Sequence, residues 1–165
     1  QSVNPAAIVI LAPLIGMLFT RRAGRFPSTI MKFVIAVLIV GLSALMLGYG
    51  FQIWPGGQDL SPWWFLALVY VIQTVAELFL TPVGLATTTA LAPRSFASQA
   101  MGLWWLSVAA GQGVAGFVIA QTEHLSDATY YYGLGVATLL MALVLFAVAP
   151  WTQRQMADVE TATAE

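Results

Sequence analysis

Residues Trp63 to Ala92 read WWFLALVYVIQTVAELFLTPVGLATTTALA, a continuous apolar stretch. It exceeds the roughly 20 residues that a helix needs to cross a bilayer. Glu77 is its single acidic residue, and it contains no basic residue. Because a bare carboxylate at mid-membrane is costly, such a group normally faces a polar cavity, is protonated or takes part in transport. The stretch therefore predicts a transmembrane helix with its functional centre at Glu77.

The composition extends this prediction to the whole chain. Hydrophobic residues make up 59% of it and charged residues 8%, whereas about 25% of residues are charged in a soluble domain. Five apolar segments come near or exceed the length of a membrane span. They are Asn4–Phe19, Phe33–Phe51, Trp63–Ala92, Met101–Ile119 and Tyr130–Ala149. We therefore predict an all-α membrane protein with five transmembrane helices. The absence of cysteine excludes disulfides and thiolate metal sites.

The basic residues fall in alternate loops. All of them lie between spans one and two, between spans three and four, or after span five: Arg21, Arg22, Arg25, Lys32, Arg94 and Arg154. Because Lys and Arg in short loops are held on the cytoplasmic side, span one should run from outside to inside. Residues 1–151 then form the transmembrane region. Residues 152–165 form a cytoplasmic tail, which we expect to be mobile because it is short and polar.

Polar residues in span three are spaced to share one side of a helix. Gln73, Glu77 and Thr81 recur every fourth residue, and Thr74 precedes Glu77 by three, so they form a stripe that must face protein or water. One reading is a protonated carboxyl hydrogen-bonded to a neighbouring helix. The other is a carboxyl that alternates between a proton and a cationic ligand, since desolvation raises its pKa and a cation lowers it. Pro82 then removes a backbone donor and the glycine at position 84 weakens the next turn, so we expect a bend just below the carboxylate.

Spans four and one carry weaker signals. In span four, small residues repeat every fourth position, which lets helices approach closely; they are Ala109 with Gly113 and Gly116 with Ala120. Trp104, Ser107, Gly111 and Gln112 share about one face of that helix and could line a cavity. In span one, Asn4 stands before Pro5, a position typical of a helix cap or a helix mouth.

Three longer stretches resemble one transporter family. The run AELFLTPVGLATTTALAPRSFASQAMGLWWL is similar to helices ten and eleven of the proton-dependent oligopeptide transporters, a branch of the major facilitator superfamily. QSVNPAAIVILAPLIGML resembles the family's helix eight, and RRAGRFPSTIMKF resembles its connection to helix nine. The resemblance implies helices eight to twelve of a twelve-helix carrier, a C-terminal bundle that lacks its first helix.

The same resemblance implies a role for individual residues. Glu77 matches the glutamate that binds the amino terminus of a di- or tripeptide and takes part in proton coupling. Asn4 matches an asparagine that contacts the same amino group. Trp104 matches a tryptophan of the side-chain pocket, and Ser107 is a nearby pocket candidate. Trp105 departs from the phenylalanine more often found there, which affects packing more than mechanism. The coupling ion is the proton, and no cofactor is expected.

Other requirements of the family point outside these residues. Its E-x-x-E-R motif and the basic residues that hold the peptide carboxylate belong to the N-terminal half, and neither is found in this sequence. Both halves are needed for alternating access. The expected partners are that half, the lipid bilayer and the peptide, with no nucleic acid. The chain, which lacks an initiator Met, is expected to begin partway through a larger protein of the bacterial inner membrane.

Three alternatives are weighed against peptide transport. Another major facilitator carrier, for instance one for nitrate, would keep the architecture and need a different cavity. An intramembrane enzyme would need a nucleophile with a base, or a metal cluster, and one mid-span Glu with a single His and no Cys does not supply it. A purely structural bundle would tolerate Glu77→Leu without loss of function.

Overall fold

The computed structural model describes residues 3–21, 28–54 and 61–164, and every regular element in these ranges is helical. The helices are α1 Val3–Arg21, α2 Thr29–Ile53, α3 Trp63–Leu91, α4 Ala97–Gln121 and α5 Asp127–Ala164. A short 3₁₀ turn, Arg94–Phe96, joins α3 to α4. The prediction of an all-α membrane protein with five helices is confirmed.

Four of the helices, α2 to α5, are long and apolar enough to cross a membrane. In α5 the suitable stretch is Asp127–Gln155. The apolar part of α1 in the described residues is shorter, Ala7–Met17. The first predicted span is therefore a helix here, and its crossing of the bilayer stays a prediction.

Local sequence sets where the helices begin. Ser28 caps α2, because its side chain accepts a hydrogen bond from the backbone nitrogen of Met31 at 3.4 Å. Proline precedes α3 at position 62 and the 3₁₀ turn at position 93. Ser126 precedes α5, and its hydroxyl accepts a hydrogen bond from the Thr129 backbone nitrogen at 3.3 Å. Each start is thus fixed by a residue that favours an extended backbone or supplies a capping oxygen.

Glycines on α2 and α5 let these two helices pack closely. The three contacts, in order along α2, are Gly41 with Leu139, Leu45 with Gly135, and Gly48 with Tyr132. In each of them a glycine on one helix receives a large side chain from the other. A Cβ at Gly41 would lie 2.9 Å from the Leu139 side chain, closer than packed atoms approach. Small residues let membrane helices pack closely in this way, so α2 and α5 interlock.

Hydrogen bonds join the same two helices at both ends. At one end the Tyr132 hydroxyl donates to Gln52 Oε1 at 2.8 Å. At the other, Gln153 Nε2 donates to Ser28 Oγ at 2.6 Å. The interlocked pair is therefore held over its whole length, with α3 packed against α2, and α1 and α4 against α3.

The segment after residue 151 is helical, and its mobility and its cytoplasmic location stay predictions. Helix α5 continues through Pro150 and on to Ala164. Proline removes one backbone donor from a helix, and the residues that follow include several good helix formers such as Ala, Gln, Met and Glu. The bond from Gln153 to Ser28 also anchors the first turn of this extension. The predicted tail is a helical continuation of α5.

Candidate functional site

Glu77 lies on an exposed part of α3, beside residues that are fully covered. Ala76 and Thr74 are each 1% exposed, whereas Glu77 is exposed. Among the residues that the structure describes, the Glu77 carboxylate has no hydrogen-bond or ion-pair partner. The structure thus gives no support to the reading in which Glu77 is buried and bonded to a neighbouring helix of this chain.

The polar stripe of α3 divides into packed and open positions. Gln73 Nε2 lies 3.5 Å from the Ser43 hydroxyl of α2, at the outer limit of a hydrogen bond. The Thr74 hydroxyl donates to the Tyr70 carbonyl of its own helix at 2.8 Å. These two polar groups are therefore satisfied by protein, and the carboxylate of Glu77 is left open.

Helix α3 runs through Pro82 without interruption, and a contact forms one turn beyond it. Gly84 is buried, and the indole of Trp104 on α4 packs against it. Ring atoms Cζ2 and Cζ3 of Trp104 would lie 2.6 Å from a Cβ at position 84. The sequence predicted Gly84 only as part of a bend, whereas in the structure it receives a side chain.

Ser107 lies one turn after Trp104 on α4. Its hydroxyl donates to the Trp104 carbonyl at 2.7 Å, and the residue is exposed. Hydroxyl groups in helices commonly bond to a carbonyl of the preceding turn in this way. A serine hydroxyl can still accept a hydrogen bond from a ligand while it donates, so Ser107 keeps a free acceptor toward the open side.

Helices α3 and α4 meet near their connection and leave the carboxylate uncovered. Gly84 lies about two turns before the end of α3, and Trp104 about two turns after the start of α4. Glu77 is about two turns farther from the connection on α3, about 10 Å along the helix axis. Gly111 stands at the corresponding height on α4 and has nothing within 4 Å of where a Cβ would be. Glu77 and the part of α4 around Gly111 therefore lie beyond the Gly84–Trp104 contact, and we call the uncovered space in front of the carboxylate the opening.

Asn4 lies in the first turn of α1, and its side chain falls outside the described residues. Helix α1 packs against α3, so the helices that carry Asn4 and Glu77 are neighbours. The backbone placement is compatible with the predicted contact to a shared ligand, and that contact stays a prediction.

The small residues of α4 do not pack as the sequence predicted. No residue of α4 is buried, and a Cβ at Gly113 or Gly116 would meet nothing within 4 Å. The spacing that favours close helix contact is present, but no helix among the described residues covers it. In the described part of the chain, no group of three or more His, Cys, Asp or Glu side chains is placed to hold a metal ion.

Sequence comparison gives one consistent family. A profile of the POT family matches residues 1–133. The uncharacterized transporter YclF of Bacillus subtilis (strain 168) is 34% identical over 160 residues, covering 96% of this chain and 32% of that protein. Dipeptide and tripeptide permease B of Edwardsiella piscicida is 31% identical over 169 residues, covering 94% of this chain and 34% of the permease. The chain thus spans about a third of the length of the curated relatives it matches.

Structural comparison agrees with the sequence. The crystal structure of a POT family transporter in complex with a thioalcohol-conjugated peptide superposes with a TM-score of 0.83 at 31% identity. The match covers 91% of this chain and 30% of that transporter. The arrangement of α1 to α5 is therefore similar to one contiguous part of a solved carrier.

Proposed function

We propose that this chain, which belongs to the POT family, supplies the C-terminal part of a proton-coupled carrier that imports di- and tripeptides. The family profile confirms the resemblance seen in the sequence. Members of this family are transporters and not enzymes. The observation that carries the peptide proposal is Glu77, an exposed carboxylate without a partner in the described residues, on a helix that is otherwise apolar.

The proposed role of Glu77 follows from elementary electrostatics. A peptide's amino terminus is a cation with three donors, and hydrogen bonds between charged groups are about twice as strong as neutral ones. An ammonium group close to the carboxylate favours its charged form, so a proton that reaches Glu77 would weaken its hold on the substrate amine. A proton that enters with the peptide and is passed to Glu77 would thereby release the peptide on the inner side, which couples the two movements in the same direction.

The other predicted residues complete this proposal. Asn4 contributes a carboxamide oxygen to the same amino group. Trp104 offers an aromatic wall for the substrate side chain, on the face of α4 that meets α3. Ser107 offers a hydroxyl acceptor one turn away, on the exposed side of that helix.

The remaining parts of the carrier are assigned to the N-terminal half. Cationic residues there would hold the peptide carboxylate, and the two halves would rock about the site near the membrane midplane. The distribution of Lys and Arg supports a cytoplasmic C-terminus. Similarity to bacterial permeases supports a location in the bacterial inner membrane.

The test is proton-driven uptake of a labelled dipeptide into liposomes that contain the full-length carrier. We expect Glu77→Gln to abolish uphill accumulation, because the amide can neither titrate nor pair with the amine, while the protein still inserts into the membrane. Glu123→Gln is the matched control, since Glu123 is also exposed but lies in the turn after α4. Uphill uptake at the wild-type rate by Glu77→Gln would refute the proposed role.

Competition by unlabelled solutes separates the peptide proposal from the alternative carrier. Uptake that di- and tripeptides inhibit, and that a protonophore stops, would support it. Gradient-driven uptake that nitrate inhibits and peptides do not would assign the site to another small solute within the same fold.

A further inference from the structure

The contact between α3 and α4 at Gly84 leaves no room for a side chain. The Cζ2 and Cζ3 atoms of Trp104 would lie 2.6 Å from a Cβ at position 84, and Cη2 would lie closer still. Three neighbouring ring atoms thus meet the same point, so the indole lies directly against the α3 backbone. Packed carbon atoms normally stay about 3.5–4.0 Å apart, and a methyl group at this position would displace the ring.

Gly84 also lies on the side of α3 that carries Glu77. The two residues are seven positions apart, which is close to two helical turns, so they point in similar directions. The indole that rests on Gly84 is therefore on the same side as the carboxylate, about 10 Å along the helix axis. Its height is fixed by the α3 backbone rather than by a side chain that could move.

We propose that Gly84 is a specificity-determining positioning residue, which sets how far the Trp104 indole extends into the opening in front of Glu77. The inference rests on the proposed function, because it concerns the space that the substrate side chain would occupy. With glycine at this position the tip of the indole rests on the α3 backbone. Any larger residue moves the ring outward, and the space for a bulky substrate side chain shrinks.

The substrate class affected is therefore peptides with large side chains. In the full-length carrier, we expect Gly84→Ala to weaken competition by diphenylalanine about tenfold, the lower range of discrimination for a change of one methyl group in an apolar pocket. Competition by dialanine should change by less than about twofold, because its side chains do not reach the displaced ring. Equal weakening of both peptides, or of neither, would overturn the proposal.

The control variant is Gly133→Ala. A Cβ at Gly133 would meet nothing within 4 Å, and the residue lies on α5, which packs chiefly on α2. This variant reports the general effect of replacing a helical glycine by alanine, which by itself stabilises a helix. Neither peptide should compete differently with it.

A double variant tests whether the effect passes through the indole. In a Trp104→Ala background, Gly84→Ala should have no further effect on the ratio of the two inhibition constants, because no ring remains to be displaced. Persistence of the tenfold change in that background would overturn the proposal.

Thermal unfolding of the purified carrier gives a readout that does not depend on substrate. Gly84→Ala should lower the melting temperature relative to Gly133→Ala when Trp104 is present, and not in the Trp104→Ala background, since contacting residues show non-additive effects. If the wild-type carrier takes up no peptide, the proposed function fails and the specificity inference with it. The unfolding experiment would then still report whether position 84 and the indole are coupled, and additive effects there would refute the contact itself.

Discussion

Glu77 differs from its polar neighbours on α3 because its side chain has no hydrogen-bond partner among the described residues. Gln73 approaches Ser43 of α2, and the Thr74 hydroxyl bonds to the carbonyl of Tyr70. These groups are satisfied by protein, whereas the Glu77 carboxylate is open to whatever enters beside α3. The apolar run singled out this residue, and its functional role stays a prediction. The division of the stripe was not predictable, because it depends on which neighbouring helices cover each turn.

Trp104 is the second residue whose environment makes a prediction. Because its indole packs on a backbone rather than on Glu77, Trp104→Ala should change the preference among peptide side chains while leaving proton coupling in place. Uptake of a series of labelled dipeptides, each measured with and without a proton gradient, checks this. The matched control is Trp105→Ala, because Trp105 occupies the next position of α4 and is 56% exposed. Equal loss of every substrate with Trp104→Ala would contradict the assignment to a side-chain pocket.

Tyr132 contributes a hydrogen bond that can be removed without changing the ring. Its hydroxyl donates to Gln52 at 2.8 Å, at an exposed position. Tyr132→Phe should therefore lower the free energy of unfolding by at most about 1 kcal/mol, the usual net value of one hydrogen bond. Chemical denaturation of the detergent-solubilised carrier provides the measurement. Tyr130→Phe serves for comparison, and a larger loss from that variant than from Tyr132→Phe would count against the role of the Gln52 bond.

At the scale of elements, the α2–α5 interface supplies the most demanding packing test. A Cβ at Gly135 would lie 2.6 Å from the Leu45 side chain and 3.0 Å from its backbone nitrogen. Gly135→Val should therefore force the helices apart and destabilise the carrier by about 1–3 kcal/mol, the usual range for overpacking. The control is Gly133→Val, which makes the same change in helix propensity two residues away on an open face of the same helix. Similar melting temperatures for the two variants would show that the interlocked contact is not decisive.

The sequence predicted the positions of the helices better than it predicted the contacts between them. Long apolar runs bounded by polar residues predicted α2 to α5, because crossing a bilayer requires such lengths. The partner of each glycine was not predictable, since Gly41 and Gly113 look alike in the sequence and differ only in what approaches them. The extension of α5 to Ala164 was not predicted, because the segment after residue 151 is short and polar and was interpreted as a mobile tail. The contact between Gly84 and Trp104 could have been predicted from the sequence. Both residues lie about two helical turns from the short connection between α3 and α4, which places them at the same height on adjacent helices.

For the whole molecule, the uncovered opening beside Glu77 has a functional consequence. The chain spans about a third of the length of its relatives, and no described residue closes the space in front of the carboxylate. This chain by itself should therefore show no gradient-driven peptide uptake in liposomes, whereas the full-length carrier should. Co-reconstitution with the separately produced N-terminal half offers a stringent version of the experiment. Uphill uptake by this chain alone would contradict the need for two halves.

The interlocked pair α2 and α5 also bears on how the chain is synthesised. The two hydrogen bonds that close it join residues 80 and 125 positions apart. At roughly 5–20 residues per second, the ribosome needs on the order of 4 to 25 s to make the second partner after the first. During that interval the glycine face of α2 sits in lipid without the helix that fills it. Completion of the α2–α5 pair therefore waits for α5 to be translated, and a chain that stops before α5 presents an unfilled groove to the membrane's quality-control proteases.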